Sequence, residues 1–209
     1  MKSRKKLLED SHLYVIIDKE ICRPSFNIVS KIKKGGIDIV QFRNKISDKE
    51  TVLKEAYAIR KLLKTEAVFI INDYLDVAKI VDCDGVHLGQ DDPSIEIARK
   101  ILGKDKIIGI SCHNLEQAEA AQRRGADYIS IGPIFPTPLK YKTQAIGLKI
   151  INKVYKIIKI PFFAVGGINE KNINKVLTCG AKRIAVCRAI CQADNVERAI
   201  KNIKKYLVN

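Results

Sequence analysis

Short runs rich in β-branched residues alternate with longer stretches of helical periodicity along the whole chain, and this alternation limits the fold more than any other feature. The runs cover 13–17, 37–42, 68–71, 85–88, 107–110, 128–131, 162–165 and 183–187. Continuous apolar strands separated by helices are the pattern of parallel βαβ units, whose sheet is covered on both faces. Three stretches, starting at Gly36, Gly125 and Gly180, each read as a helix-ending glycine followed by a strand. Eight such units predict one α/β domain over residues 1–209, a single (β/α)8 TIM barrel. An open doubly wound sheet is the competing architecture. It would concentrate a glycine-rich phosphate loop after its first strand, where this chain has Asp18, Lys19 and Glu20. Helix starts are expected at Ser47 with Glu50, at Asn114 with Gln117, and at Asp92-Pro93.

With 46% hydrophobic and 29% charged residues, a chain of 209 residues can bury one core. No apolar run approaches the roughly 18 residues of a membrane span, and the basic opening leads into Leu-Leu-Glu-Asp. A cytoplasmic protein is therefore expected, with no membrane partner. The net charge of +15 comes from lysines scattered through helical segments such as 31–34 and 201–205, with Ile or Leu between them. Solvated helix faces explain that pattern better than a nucleic-acid footprint, and a basic barrel mouth would also attract phosphorylated substrates. A homo-oligomer is compatible with such a chain. The six cysteines form no C-x-x-C pair and have no histidine at metal-ligand spacing, so reduced, mostly buried thiols are expected.

A barrel enzyme carries its site at the C-terminal ends of the strands. After the second run come Gln41, Phe42, Arg43, Asn44 and Lys45, of which 41, 43 and 45 share one face of an extended chain. Two cations and an amide on one face suit a polyanion. Asp73 follows the third run and Asp92 the fourth. On residue types alone each is either a helix cap or a carboxylate for a hard cation such as Mg2+. His113, after the fifth run and beside the capping Asn114, reads as a structural hydrogen-bonder rather than an acid or base. The sixth run opens into a long proline-rich loop, 132–142, with Lys140 as its charged contact. The seventh ends in Gly166-Gly167 and the eighth in Cys187-Arg188, and loops at those places are the usual phosphate cradle of barrels.

Read in order, Gln41-x-Arg43-x-Lys45, Asn72-Asp73, Asp84-Gly-Val-His-Leu-Gly-Gln-x-Asp92, Gly109-x-Ser111-x-His113, the stretch from Gly125 to Thr137 and Gly166-Gly167-Ile168 resemble the thiamine-phosphate synthase family. The resemblance implies a transferase that joins a pyrimidine diphosphate to a thiazole phosphate and releases pyrophosphate. It assigns the pyrimidine diphosphate to Gln41, Phe42, Arg43, Asn44, Lys45, Asn72, Ser111 and Lys140, and among these Arg43, Lys45, Ser111 and Lys140 to catalysis. Asp73 and Asp92 would hold one Mg2+ per site. Thr137, Pro138, Leu139, Gly167, Cys187 and Arg188 would hold the thiazole phosphate. The chain departs from the family pattern at Leu139, where threonine is usual, at Lys182-Arg183 and at Arg188. A thiazole tautomerase of the same superfamily is the nearest alternative activity, with Gln90-x-Asp92 speaking against it. A non-catalytic thiazole-phosphate-binding regulator is the other.

Overall fold

A computed structural model describes residues 3–22, 25–137 and 144–207. Eight parallel strands close into a barrel in sequence order. They are β1 (Leu13–Asp18), β2 (Ile39–Arg43), β3 (Val68–Asn72), β4 (Gly85–Leu88), β5 (Ile107–Cys112), β6 (Tyr128–Ile131), β7 (Phe162–Val165) and β8 (Ile184–Val186). The barrel closes where Leu13, Tyr14 and Val15 pair with Ile184, Ala185 and Val186. All eight expected runs are strands, with ends shifted by two residues at most.

Ten helices lie among the described residues. α1 (Arg4–Asp10) precedes the barrel. α2 (Ser25–Lys34), α3 (Lys49–Leu63), α4 (Leu75–Ile80), α5 (Ile95–Leu102), α6 (Leu115–Arg123), α7 (Lys149–Ile157) and α8 (Ile173–Thr178) each follow a strand. α9 (Arg188–Cys191) and α10 (Val196–Lys204) complete the wall. No described helix is long and apolar enough to cross a membrane.

Strand alternation divides the core in two. Tyr14, Ile39, Val68, Ile70, Ile107, Tyr128, Phe163 and Ala185 fill the barrel interior, with Leu8 of α1 packed into the same cluster. Residues of opposite parity, such as Val15, Val40, Phe69, Val86 and Ile129, pack against the helices. Ion pairs pin α1 beneath the barrel: Arg4 Nε lies 3.0 Å from Asp84 Oδ1, and Lys5 Nζ 2.7 Å from Asp127 Oδ1. These aspartates also accept the backbone N–H groups of Phe69 and Ile108 at 2.8 Å, so each fastens a strand start.

Local capping differs from the sequence expectation in two places. α3 is capped by Asp48, whose Oδ1 accepts from Thr51 N at 2.9 Å, and not by Ser47, which accepts instead from Asn44 Nδ2 at 3.0 Å. α5 is capped by Ser94, two residues beyond Asp92. Asn114 does cap α6, accepting from Gln117 N at 2.8 Å.

Candidate active site

A polar chain crosses the upper barrel interior. Gln41 Nε2 donates to Tyr14 Oη at 2.7 Å, Tyr14 and Tyr128 hydroxyls meet at 2.9 Å, and Tyr128 Oη lies 2.9 Å from His87 Nδ1. His87 Nε2 is 2.9 Å from Ser111 Oγ and 3.2 Å from Ser130 Oγ. Burial, the largest cause for both, pushes the Tyr14 and Tyr128 phenols well above their usual range, so both keep their protons. Since Gln41 donates to Tyr14, the chain is continuous when Tyr14 donates to Tyr128 and Tyr128 to His87 Nδ1. His87 then carries its proton on Nε2 and donates it toward the hydroxyl oxygens of Ser111 and Ser130. Gly109 makes room for this chain, because a Cβ there would lie 2.1 Å from Tyr128 Cζ. Tyr14, His87, Tyr128 and Ser130 were not among the expected site residues; their inward parity on strands was the signal for them.

The carboxylates stand beside this chain. Asp73 follows β3 in the left-handed region, at φ 65°, a conformation that costs a non-glycine residue energy and recurs at functional sites. Lys45 Nζ lies 2.7 Å from Asp73 Oδ2. Burial, and secondarily the carboxyl group of Asp92 within hydrogen-bonding reach, raise the Asp73 carboxyl above its usual value, with Lys45 opposing them. Neither aspartate caps a helix: Tyr74 stands at the start of α4 with no side-chain cap bond, and Asp92 Oδ2 accepts from Gly89 N at 2.6 Å. The choice left open by residue type therefore falls against the helix cap. The two carboxyl groups approach each other in a partly buried position, and together they could hold a hard cation.

The five consecutive residues 41–45 separate into different environments. Gln41 joins the polar chain. The Phe42 ring is buried against the helix layer, so its side chain lies away from the mouth. Arg43 forms an ion pair with the buried Asp18. Asn44 shapes the loop, donating to Glu55 Oε2 at 2.9 Å and accepting from Ser47 N at 3.1 Å. Asn72 is buried at the end of β3, in register with His87.

On the opposite side of the mouth a cavity of about 300 Å3 opens between the ends of β1 and β2 and the loops after β6, β7 and β8. Asp18, Arg43, Thr137, Gly167, Cys187 and Arg188 are among its walls. Arg43, grouped by sequence with the pyrophosphate residues, thus also faces this cavity. Gly166 and Gly167 adopt φ 100° and 66°. A Cβ on Gly166 would lie 2.5 Å from Pro133 Cα, and one on Gly167 2.8 Å from Phe135 Cβ, so only glycine lets the β6 and β7 loops close on each other. Asn172 Nδ2 holds the Gly167 carbonyl at 2.9 Å. Pro138, Leu139 and Lys140 lie outside the described residues. His113 fastens the neighbouring loop, with Nδ1 2.5 Å from Gly132 O and the backbone N–H of His113 donating to Gln117 Oε1 at 2.7 Å.

A sequence model of the thiamine monophosphate synthase family matches residues 13–190. This chain belongs to that family. It is 41% identical over 206 residues to the thiamine-phosphate synthase of Dictyoglomus turgidum, covering 97% of this chain and 92% of that one. The thiamine-phosphate synthase of Nostoc punctiforme is 42% identical over 195 residues, but the alignment spans only 54% of that relative's length. Among solved structures, the thiamine phosphate pyrophosphorylase of Pyrococcus furiosus superposes with a TM-score of 0.87 at 36% identity, covering 98% of this chain and 96% of the other.

One expectation at the cavity is overturned. Cys22 and Cys191 form a disulfide, with Cα atoms 5.5 Å apart, where six reduced thiols were expected. The two are 169 residues apart, and only barrel closure brings the turn after β1 beside α9. Of the four free cysteines, burial pushes Cys83, Cys112 and Cys187 up to about 12, so these are protonated thiols.

Proposed function

We propose that this chain couples 4-amino-2-methyl-5-hydroxymethylpyrimidine diphosphate to 4-methyl-5-(2-phosphooxyethyl)thiazole, giving thiamine phosphate and pyrophosphate. The observation that carries this reading is the pairing, in one barrel mouth, of two approaching carboxyl groups with a glycine-walled cavity of about 300 Å3. Arg43, two residues before Lys45, lines that cavity. Family membership supports the same reading.

The diphosphate lies over β2 to β4, its ring side toward Gln41, Asn72 and Ser111 and its phosphates toward Arg43 and Lys45. The bond from the pyrimidine methylene carbon to the diphosphate oxygen breaks, and its electron pair leaves with pyrophosphate. A pyrimidine-methyl cation remains, and the thiazole nitrogen captures it with its lone pair. No protein nucleophile and no proton transfer at carbon are required. Lys45 and Arg43 stabilise the departing charge, and Lys140 belongs with them by family pattern. Mg2+, held by Asp73 and Asp92, would add neutralising charge on the pyrophosphate when bound. The thiazole phosphate sits in the cavity, against the backbone of Gly167 and the backbone of Arg188 and Ala189 at the start of α9. Arg188 and Thr137 add side-chain contacts there. Holding both substrates at once replaces an encounter in solution, and this positioning supplies much of the rate.

The purified protein, given both substrates and Mg2+, is expected to release thiamine phosphate and pyrophosphate in equal amounts. Isomerisation of a thiazole carboxylate phosphate without coupling would replace this reading with a tautomerase.

A further inference from the structure

We propose that the Cys22–Cys191 disulfide is a reversible modification site that sets the affinity of the cavity for its phosphate ligand. The sulfur atoms of Cys22, Cys187 and Cys191 all lie within 4.8 Å of one another. Cys22 sits in the turn that leaves β1, with its N–H on Asp18 O at 2.7 Å, and Asp18 itself lines the cavity and binds Arg43. Cys191 ends α9, the single helical turn whose opening residues Cys187, Arg188 and Ala189 form the opposite wall. The bond therefore ties the turn behind one wall, at Cys22, to the end of the helical turn that forms the other, at Cys191.

A soft metal ion is the other ligand such a cluster suggests, and two features weigh against it. Among the described residues the cluster supplies three donors and no fourth, where structural zinc takes four. Three thiolates would also place negative charge beside Asp18, in the wall of a site meant for a phosphate, whereas a disulfide and a protonated Cys187 are neutral. The Cα separation of Cys22 and Cys191 lies within the ordinary disulfide range.

The co-reactant is a low-molecular-weight disulfide. Two electrons and two protons pass from the Cys22 and Cys191 thiols to it, forming one intramolecular S–S bond and releasing two small thiols; excess small thiol reverses the exchange. Both states are accommodated, because the Cys191 sulfur lies 3.5 Å from the Ile16 carbonyl, which accepts its S–H once the bridge is open. Cys191 is partly exposed and offers the point of attack, while Cys22 is buried. With the bridge closed the walls are held in the binding arrangement, and opening it lets the 187–189 turn move. The consequence rests on reading this cavity as the thiazole-phosphate cradle.

The test uses the full chain, equilibrated with oxidised or reduced dithiothreitol, alkylated and weighed intact, with the bridge mapped by peptide mass. The oxidised protein is expected to take up two fewer alkyl groups and to yield the Cys22–Cys191 peptide. On reduction, KM for the thiazole phosphate rises about fivefold, the scale of a lost preorganised contact, while KM for the pyrimidine diphosphate stays unchanged. Cys22→Ser shows the reduced-state KM in both buffers. Equal alkylation in the two buffers, or a mapped bridge whose opening leaves both KM values alone, overturns the proposal. So does one Cd2+ per reduced chain, bound with thiolate charge-transfer absorption that Cys22→Ser abolishes, which would make the cluster a metal site. Gly167→Ala serves as control: an unchanged thiazole-phosphate KM in that variant would overturn the cradle reading itself, a failure separate from that of the bridge.

Discussion

Over β2 to β4 the mouth of the barrel is made of paired charges, whereas over β6 to β8 it is made mainly of backbone and glycines, with Arg188 beside them. The first region presents side-chain charge, with Arg43 on Asp18 and Lys45 on Asp73. The second presents a shaped backbone, through Gly166 and Gly167 in conformations that other residues resist. A change of charge should therefore act on the first region and a change of volume on the second. The two cations of the charged region differ as well: the partner of Arg43 is buried, while Lys45 stands half in solvent.

Four substitutions grade this comparison. Arg43→Met should have the largest effect, because it leaves the Asp18 carboxylate buried and unpaired; urea unfolding is expected to show a loss of about 3–5 kcal/mol. A loss under 1 kcal/mol would mean that Asp18 finds another partner. Gly166→Ala should follow, with roughly 1–3 kcal/mol lost to a strained backbone and a Cβ against Pro133. Its kinetic signature is a raised KM for the thiazole phosphate with the diphosphate KM nearly constant, and the reverse pattern would dissolve the division of the mouth. Lys45→Met should cost less than about 1 kcal/mol of stability, as for an exposed pair. It should nonetheless lower kcat roughly a hundredfold through lost stabilisation of the leaving group.

The smallest effect concerns pH. The Asp73 carboxyl is raised in the folded chain, mainly by burial, so the folded state holds its proton at a pH where the unfolded chain has released it. The contribution of this group to stability is complete below the ordinary carboxylate range and is lost as pH rises through the raised value. Asp73→Asn removes that loss. Its Tm, measured without metal, should exceed that of the wild type at pH 8 and match it near pH 3.

The barrel was legible in the sequence because each strand is an apolar run bounded by polar residues, and strand ends locate a barrel site without further information. Gln41, Ser111, Asp73 and the Gly166-Gly167 pair all lie at the mouth for that reason. Parity was applied to residues 41, 43 and 45 and left unused elsewhere. Phe42 alternates outward and cannot join its neighbours, and His87 alternates inward, where it links Tyr128 to Ser111. The Asp18–Arg43 pair and the Cys22–Cys191 bridge depend on the contact of the first strand with the second and with the last. Strand order gives those neighbours, but only the three-dimensional register gives the contacts.

In the proposed function the charged side of the mouth handles pyrophosphate through a cation shared by Asp73 and Asp92. Asp92→Asn tests it most directly, since the amide oxygen retains an acceptor for the Gly89 N–H while the negative charge is lost. Initial rates of pyrophosphate release, titrated with Mg2+ at saturating substrates, should show half-activation moved to at least about tenfold higher Mg2+, with the thiazole-phosphate KM unchanged. A titration curve that overlays the wild type would contradict the claim.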